Sequence, residues 1–262
     1  MREFIDVIRK GSIAQVQLNR PGAYNAFNLE MITDLASDLI SLAADDDTRG
    51  LLITGSGQAF CAGGDLKWAT GYAKNPGNAF YTLASHFHTA ILEIRRMPKP
   101  VVAAINGIAA GGGFSLALAC DFRVMEQSAV MRQAYTSNGL CIDGGGTFTL
   151  PRLVGYARAL EMAAFDHPLS AKHAHEWGLV TEVVSDGQSV AAAMEMLAGL
   201  IQKPLHSFGL SKNLINDSYV HSLETQLELE RNGLAKAADH PDGREGLKAF
   251  TEKRKPNFYS DG

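Results

Sequence analysis

The sequence predicts a layered α/β protein, and three observations carry that prediction. Short apolar runs alternate with helix-period segments through the first half of the chain. Glycine-rich turns follow several of those runs, as strand-to-helix connections in layered folds do. Beyond Asp143 the pattern turns almost wholly helical.

Taken in order, "EFIDVIRKGSIAQVQLN" reads as two short strands turning at Lys10-Gly11, a hairpin. Asn28 caps a helix whose apolar positions Ile32, Leu35, Ala36, Leu39 and Ile40 follow the 3.6-residue period. "GLLITGS" is a buried strand that runs into a glycine-rich turn. The next helix spans "FYTLASHFHTAILEIRRM", and Pro98 and Pro100 stop it before the strand "VVAAING". "AAGGGFSLALACD" is a glycine-fronted apolar helix, followed by the strand "FRVMEQ". Helices then follow over "RALEMAAF", over "SAKHAHEWGL" with Ser170 as N-cap, and over "QSVAAAMEMLAGLI". Pro204 opens a further helix, "SLETQLELERNGLAKAA" places Leu223, Leu227 and Leu234 at helical spacing, and "DGREGLKAFTEKRKPNF" closes the chain. Residues 1–200 are expected to form the core and 201–262 a helical subdomain.

The 262 residues suffice for one large domain, and 46% hydrophobic with 20% charged residues is an ordinary globular balance. Acidic residues outnumber basic ones 28 to 24 and no Lys/Arg-rich tract occurs, so a nucleic-acid partner is not expected. No apolar stretch is long enough for a membrane span. The first residues, "MREFIDVIRKGSIAQVQLNRP", carry charges where a signal peptide needs its apolar run, and "FYSDG" is not a peroxisomal address. Cys61, Cys120 and Cys141 all lie in apolar contexts and read as buried free thiols of a cytoplasmic protein.

Two glycine-rich turns stand out, Gly55 to Lys67 and Asn106 to Ser115, each after a predicted strand. The dinucleotide fingerprint fails because Phe60 occupies its third glycine position, and no G-x-x-x-x-G-K-[ST] occurs. Glycines at such turns bring backbone N–H groups close to a ligand at the positive end of a helix. One N–H from each turn converging on one oxygen would stabilise an oxyanion or enolate. Close helix–strand packing is the other reading of the same glycines.

"LNRPGAYNAFN", "GSGQAFCAGGDLKW", "PKPVVAAINGIAAGGGFSLALACDFRV" and "LPRLVGYARALEMAAFDHPLSAKHAHEWGLV" together resemble the enoyl-CoA hydratase/isomerase (crotonase) superfamily, in order and spacing, over nearly the whole chain. The resemblance implies a ClpP/crotonase-like spiral of ββα units with a C-terminal helical trimerisation region, in a homotrimer or a hexamer made of two trimers. It implies an acyl-CoA thioester as ligand, with coenzyme A entering as part of the substrate and no separate cofactor. The family's oxyanion N–H groups map onto Gly64 and Gly112. Ala62, Gly63, Asp65, Leu66 and Lys67 would meet the adenine and pantetheine, Ala23 would line the CoA cleft, and Lys253 with Arg254 would lie near the CoA phosphates.

Hydratases of this family divide one water between two glutamates, whose positions here hold Ser115 and Tyr135. Water addition needs a base and an acid, and neither residue is a carboxylate. Asp143, in "LCIDGGGTF", lies in the loop where non-hydratase branches carry a catalytic aspartate, and the resemblance is closest to the 1,2-epoxyphenylacetyl-CoA isomerase branch. That branch implies one aspartate moving protons in double-bond or ring-opening isomerisation. Ile142 and Phe148 are expected to flank Asp143 and raise its pKa, and Ser115 and Tyr135 to line the acyl pocket or orient a water. A helix over the acyl pocket would bring His86 or His88 toward substrate, although i,i+2 spacing separates their faces. His173 and His175 repeat that spacing, and no metal-ligand pattern accompanies either pair. Asp65 reads as a cap, and Cys61 and Cys141 lack an activating partner. The segment Ala69 to Ala79 is expected to shape the acyl pocket. Three alternatives stand beside the isomerase: a hydratase with a relocated acid/base, an aryl-CoA hydrolase or dehalogenase with Asp143 as nucleophile, and a non-catalytic CoA- or RNA-binding homologue.

Overall fold

The structure is a computed structural model and describes residues 3–72 and 75–258. Ala73 and Lys74, within the predicted pocket segment, and the closing residues 259–262 lie outside the described residues.

The opening hairpin is present: β1 (Ile5–Lys10) pairs antiparallel with β2 (Ile13–Leu18). Helix α1 (Leu29–Ala44) follows, its first turn capped by the Asn28 side chain accepting from Met31 N at 2.9 Å. A long strand, a short strand and a helical segment then recur. The first round is β3 (Gly50–Gly55), β4 (Ala59–Cys61), α2 (Leu66–Tyr72) and α3 (Pro76–Arg96). The second is β5 (Val101–Ile105), β6 (Ile108–Ala110) and α4 (Gly112–Ala119). The third is β7 (Phe122–Glu126), β8 (Val130–Arg132) and, after the loop bearing Asp143, α5 (Gly146–Val154). Next come α6 (Tyr156–Phe165), β9 (Leu169–Ser170), α7 (Ala171–Glu176), β10 (Glu182–Val184) and α8 (Ser189–Leu200). Helices α9 (Leu205–Asp217), α10 (Leu223–Asp239) and α11 (Pro241–Thr251) end the described chain.

The long strands form a six-stranded sheet in the order β1-β2-β3-β5-β7-β10, parallel from β2 onward, and the short ones form a second sheet, β4-β6-β8-β9. Each turn of the chain thus lays one strand in each sheet and then a helix, which is the ββα spiral. Strands β3 and β5 are buried on both faces, so they read as continuous apolar runs rather than alternating ones. Leu51, Ile53, Val101 and Ala103 pack in the cluster that holds Leu35 and Leu39 of α1 and Ile94 of α3. The alternate residues Leu52, Val102 and Ala104 pack against Ala193 and Leu197 of α8.

Four details depart from the sequence reading. Ile40 is exposed, so the buried stripe of α1 stops at Leu39 and Leu42. The leucines Leu223, Leu227 and Leu234 of α10 are all exposed, because α10 packs mainly against α9 and α11. Cys141 is exposed, whereas Cys61 and Cys120 are buried. The second sheet, α2 and α5 are not legible in the periodicity, since strands of two or three residues hold too few positions to show one. Among the described residues no helix is long and apolar enough to cross a membrane.

One buried side chain ties the first loop to the spiral. Asn25, at φ 56°, donates through Nδ2 to Ser56 O at 2.9 Å and Ala59 O at 2.8 Å, and its Oδ1 accepts from Arg20 N at 2.8 Å. Asparagine tolerates this left-handed conformation better than most residues and its amide replaces missing strand partners. Asn25→Ala removes the amide donations to Ser56 O and Ala59 O and the acceptor of Arg20 N, and urea denaturation is expected to show a loss of about 3 kcal/mol. A loss under about 0.5 kcal/mol would show that the loop holds without the amide.

Candidate functional site

The two glycine-rich turns meet backbone to backbone. Phe27 N donates to Gly63 O at 2.7 Å and Asp65 N donates to Phe27 O at 2.9 Å, which fixes the turn after β4. Gly63 sits at φ 95°, and a Cβ there would lie 2.7 Å from Gly112 N, so only glycine permits the approach. Gly112 begins α4, where the first N–H groups of a helix have no internal acceptor. Among the described residues the N–H groups of Gly64 and Gly112 are not taken up by a turn or cap, and both glycines line one narrow cleft. Two backbone donors and a helix N-terminus there suit a developing oxyanion.

Asp143 enters the same cleft from the loop before α5. The Ser115 hydroxyl, on α4, donates to the Asp143 carbonyl at 2.6 Å, and Gly146 N donates to that carbonyl at 3.1 Å. Gly144, at φ 62°, packs so tightly that a Cβ would lie 2.2 Å from Phe87 Cε1 and 3.0 Å from Ser115 Cβ. The Asp-Gly turn is therefore pressed between α3 and α4, and its side chain is aimed by that packing. Asp143 Oδ1 lies 2.5 Å from His88 Nε2, with the carboxylate 36% and the imidazole 51% exposed.

The cleft wall comes from one stripe of α3. Phe80, Ala84, Phe87 and His88 recur at i, i+4, i+7 and i+8; the first three line the cleft and His88 reaches Asp143 from it. Phe27, Leu83 and Tyr135 complete the wall, and Phe27 and Phe87 pack ring to ring at 5.4 Å. Burial holds the Tyr135 phenol above its ordinary range, so it stays protonated, beside Ser115 and Asp143.

Phe148 and Ser115 are placed differently from expectation, whereas Asp65 is the expected cap and Cys61 the expected buried thiol. Phe148 does not line the cleft with Asp143; its ring stacks under the Arg152 guanidinium at 3.5 Å. Ser115 is fully buried and grips the Asp143 backbone instead of lining the pocket. The carboxyl of Asp65 is desolvated, which raises its pKa, but the Trp68 N–H and Arg20 outweigh this and hold it below the usual range. Its Oδ1 caps α2 through Lys67 N and Trp68 N, and its Oδ2 accepts from Arg20 at 2.7 Å, so backbone rather than carboxylate is left to meet a ligand there. Burial pushes the Cys61 thiol up to about 12, which removes it as a nucleophile.

Other residues fall together. Ala62 N donates to Tyr24 O, which seats Ala23 and its turn beside Ala62, Gly63 and Gly64, with Leu66 and Lys67 exposed next to them. Lys253 lies on the exposed turn after α11 and outside the cleft wall, and the Arg254 guanidinium is held by Glu245 and Glu252. Of the expected pair His86 and His88, it is His88 that reaches the site, through Asp143; the aromatic face of α3 is what sequence reasoning missed, although the i, i+4, i+7, i+8 spacing was there to find.

A sequence profile of the enoyl-CoA hydratase/isomerase family matches residues 8–261. The chain is 40% identical over 260 residues to a 1,2-epoxyphenylacetyl-CoA isomerase of Escherichia coli (strain K12), covering 98% of this chain and 99% of that one. It is 34% identical over 250 residues to 4-chlorobenzoyl coenzyme A dehalogenase-2 of Arthrobacter sp, covering 95% and 91%. A crystal structure of an enoyl-CoA hydratase from Polaromonas sp. JS666 superposes with a TM-score of 0.91 at 35% identity, covering 97% of this chain and 98% of that chain.

Gly144→Ala tests whether the loop packing aims the carboxylate. The variant is expected to lose roughly 1–3 kcal/mol of stability from overpacking against Phe87. Turnover of any accepted acyl-CoA should fall at least tenfold more than binding does, measured as separate kcat and Kd values.

Proposed function

The chain belongs to the enoyl-CoA hydratase/isomerase family, and we propose that it is an acyl-CoA isomerase in which Asp143 moves the proton and the N–H groups of Gly64 and Gly112 hold the enolate oxygen. The observation that carries this reading is the meeting of Asp143 with both glycines in one cleft, while Ser115 and Tyr135 stand where a hydratase needs carboxylates. With the thioester carbonyl on the two N–H groups, removal of an α- or γ-proton sends the electron pair to that oxygen. Asp143 takes the proton at one carbon and returns it at another, so the double bond moves or a strained ring opens with no net gain of atoms. His88 at Oδ1 leaves Oδ2 for the substrate. The aromatic wall of Phe27, Phe80 and Phe87 suits a flat or unsaturated acyl group. No cofactor beyond the substrate's own coenzyme A enters this scheme. The exposed apolar face of α10, with Leu223, Leu227 and Leu234, supports assembly into a trimer or hexamer, and a cytoplasmic setting fits the buried thiols of Cys61 and Cys120.

One contact favours a second reading. A carboxylate and an imidazole within hydrogen-bond reach are the geometry of a nucleophile and its base. In an aryl-CoA hydrolase or dehalogenase, Asp143 would attack the ring carbon, the leaving group would depart as an anion, and His88 would take a proton from the water that cleaves the aspartyl ester.

The deciding experiment offers the protein cis-3-enoyl-CoA, epoxyphenylacetyl-CoA and 4-chlorobenzoyl-CoA, and repeats each with Asp143→Asn and His88→Gln. Isomerisation by the wild type should fall about a thousandfold in Asp143→Asn, within the usual range for a general acid–base group. Full isomerase rate in Asp143→Asn, or a wild type that only hydrates 2-enoyl-CoA, sinks the isomerase reading. Incorporation of ¹⁸O from labelled water into Asp143 during turnover selects the nucleophilic reading instead.

A further inference from the structure

Away from Asp143 a larger cavity lies between the ends of α3 and α4 and helices α5 and α9, with about 340 Å³ of open space against about 50 Å³ in the catalytic cleft. Its wall carries four cationic side chains, Arg95, Arg123, Arg152 and Lys212, and one carboxylate, Asp121. Two of the cations serve the fold. The buried Arg123 donates to the carbonyls of Leu179 and Cys120. Lys212 donates to Ile94 O, Lys99 O and Asp121 Oδ2, which fills its three N–H positions and pairs the carboxylate.

Arg95 and Arg152 are left over. Among the described residues neither has a carboxylate within ion-pair distance; Arg95 Nη2 donates to Asn216 Oδ1 and Arg152 Nη1 donates to Phe148 O. The Nε of Arg152 is buried without an acceptor. Both guanidiniums gather on the Phe148 ring, at 5.4 Å and 3.5 Å from its centroid, and Tyr219 covers Arg152 from another side at 4.6 Å. Desolvation disfavours the charge on Arg95, and the neighbouring Arg152 disfavours it further, against partial relief from Asp121 and Asp217. Planar forks fixed by aromatic stacking in a half-buried cavity, with no carboxylate in ion-pair contact among the described residues, are the arrangement that recognises a planar or tetrahedral oxyanion.

We propose that this cavity is an oxyanion site, in which one phosphate-like or carboxylate group bridges Arg95 and Arg152. The group is either a free small anion or an acidic side chain of a second copy of the chain; the exposed rim of Ile215 and Tyr219 admits both. The site lies outside the catalytic cleft, and its test does not read turnover, so it stands or falls apart from the proposed reaction.

The test titrates inorganic phosphate into the full chain at constant ionic strength, with chloride as the balancing ion. It reads binding heat, Tm and sedimentation for the wild type, Arg95→Gln, Arg152→Lys and, as a control on exposed α10, Lys236→Gln. Saturable binding that weakens at least tenfold in Arg95→Gln and Arg152→Lys, and is unchanged in Lys236→Gln, supports a free anion. No phosphate binding, but a shift of Arg95→Gln to smaller species, assigns the oxyanion to a second copy. Phosphate bound equally by all four proteins is an adventitious ion only and overturns the proposal, as does the absence of both binding and any change in assembly.

Discussion

The close approach of two backbone turns, Gly63 against Gly112, is the constraint on which the rest of the site depends. A side chain at Gly63 would force the turns apart, and the N–H groups of Gly64 and Gly112 would no longer share a cleft. The ββα spiral produces this approach, because β4 and β6 lie side by side in the second sheet and each ends in a glycine-rich turn. Asn25 and Phe27 then clamp the first loop onto the same turn through buried amide and backbone hydrogen bonds. Catalytic power of the oxyanion type rests on donors that are already in place before charge develops, and rigid backbone supplies that at no reorganisation cost.

Asp143 is placed by a different means. Its loop is pressed by Phe87 of α3 and gripped by Ser115 of α4, so two helices from consecutive rounds of the spiral define where the carboxylate points. Its surroundings are mixed: an aromatic wall on α3, a half-buried phenol at Tyr135, and the His88 imidazole at Oδ1. A polar partner on a half-exposed carboxylate replaces the purely apolar setting that Ile142 and Phe148 implied. The same stripe of α3 supplies both the hydrophobic wall and the imidazole, which ties the cleft wall to Asp143 through one rigid element.

The C-terminal helices show the limit of one chain. Helix α9 is anchored by the buried Lys212–Asp121 pair, with the ammonium also bonded to Ile94 O near the end of α3 and to Lys99 O in the connection to β5. Among the described residues helix α10 has no buried ion pair of this kind, and Leu223, Leu227 and Leu234 are exposed. The order of burial along the chain thus runs from a spiral whose central strands are sealed on both faces to helices with one face uncovered.

By itself the sequence determined the alternating layers, the hairpin at Gly11, the caps at Asn28 and Ser170, and the two glycine-rich turns, because each rests on neighbours within a few residues. The resemblance to the crotonase superfamily, carried by motif order and spacing, also implied a shared role for Gly64, Gly112 and Asp143. The tertiary structure alone decided that His88 faces Asp143 across 55 positions, that Phe148 turns away to Arg152, and that Ser115 grips a carbonyl instead of touching the cleft. It also decided that four cations and a single carboxylate share one cavity. Those are contacts between distant segments, set by how helices pack across the spiral, and local propensity and periodicity carry no information about which distant side chain fills a given space.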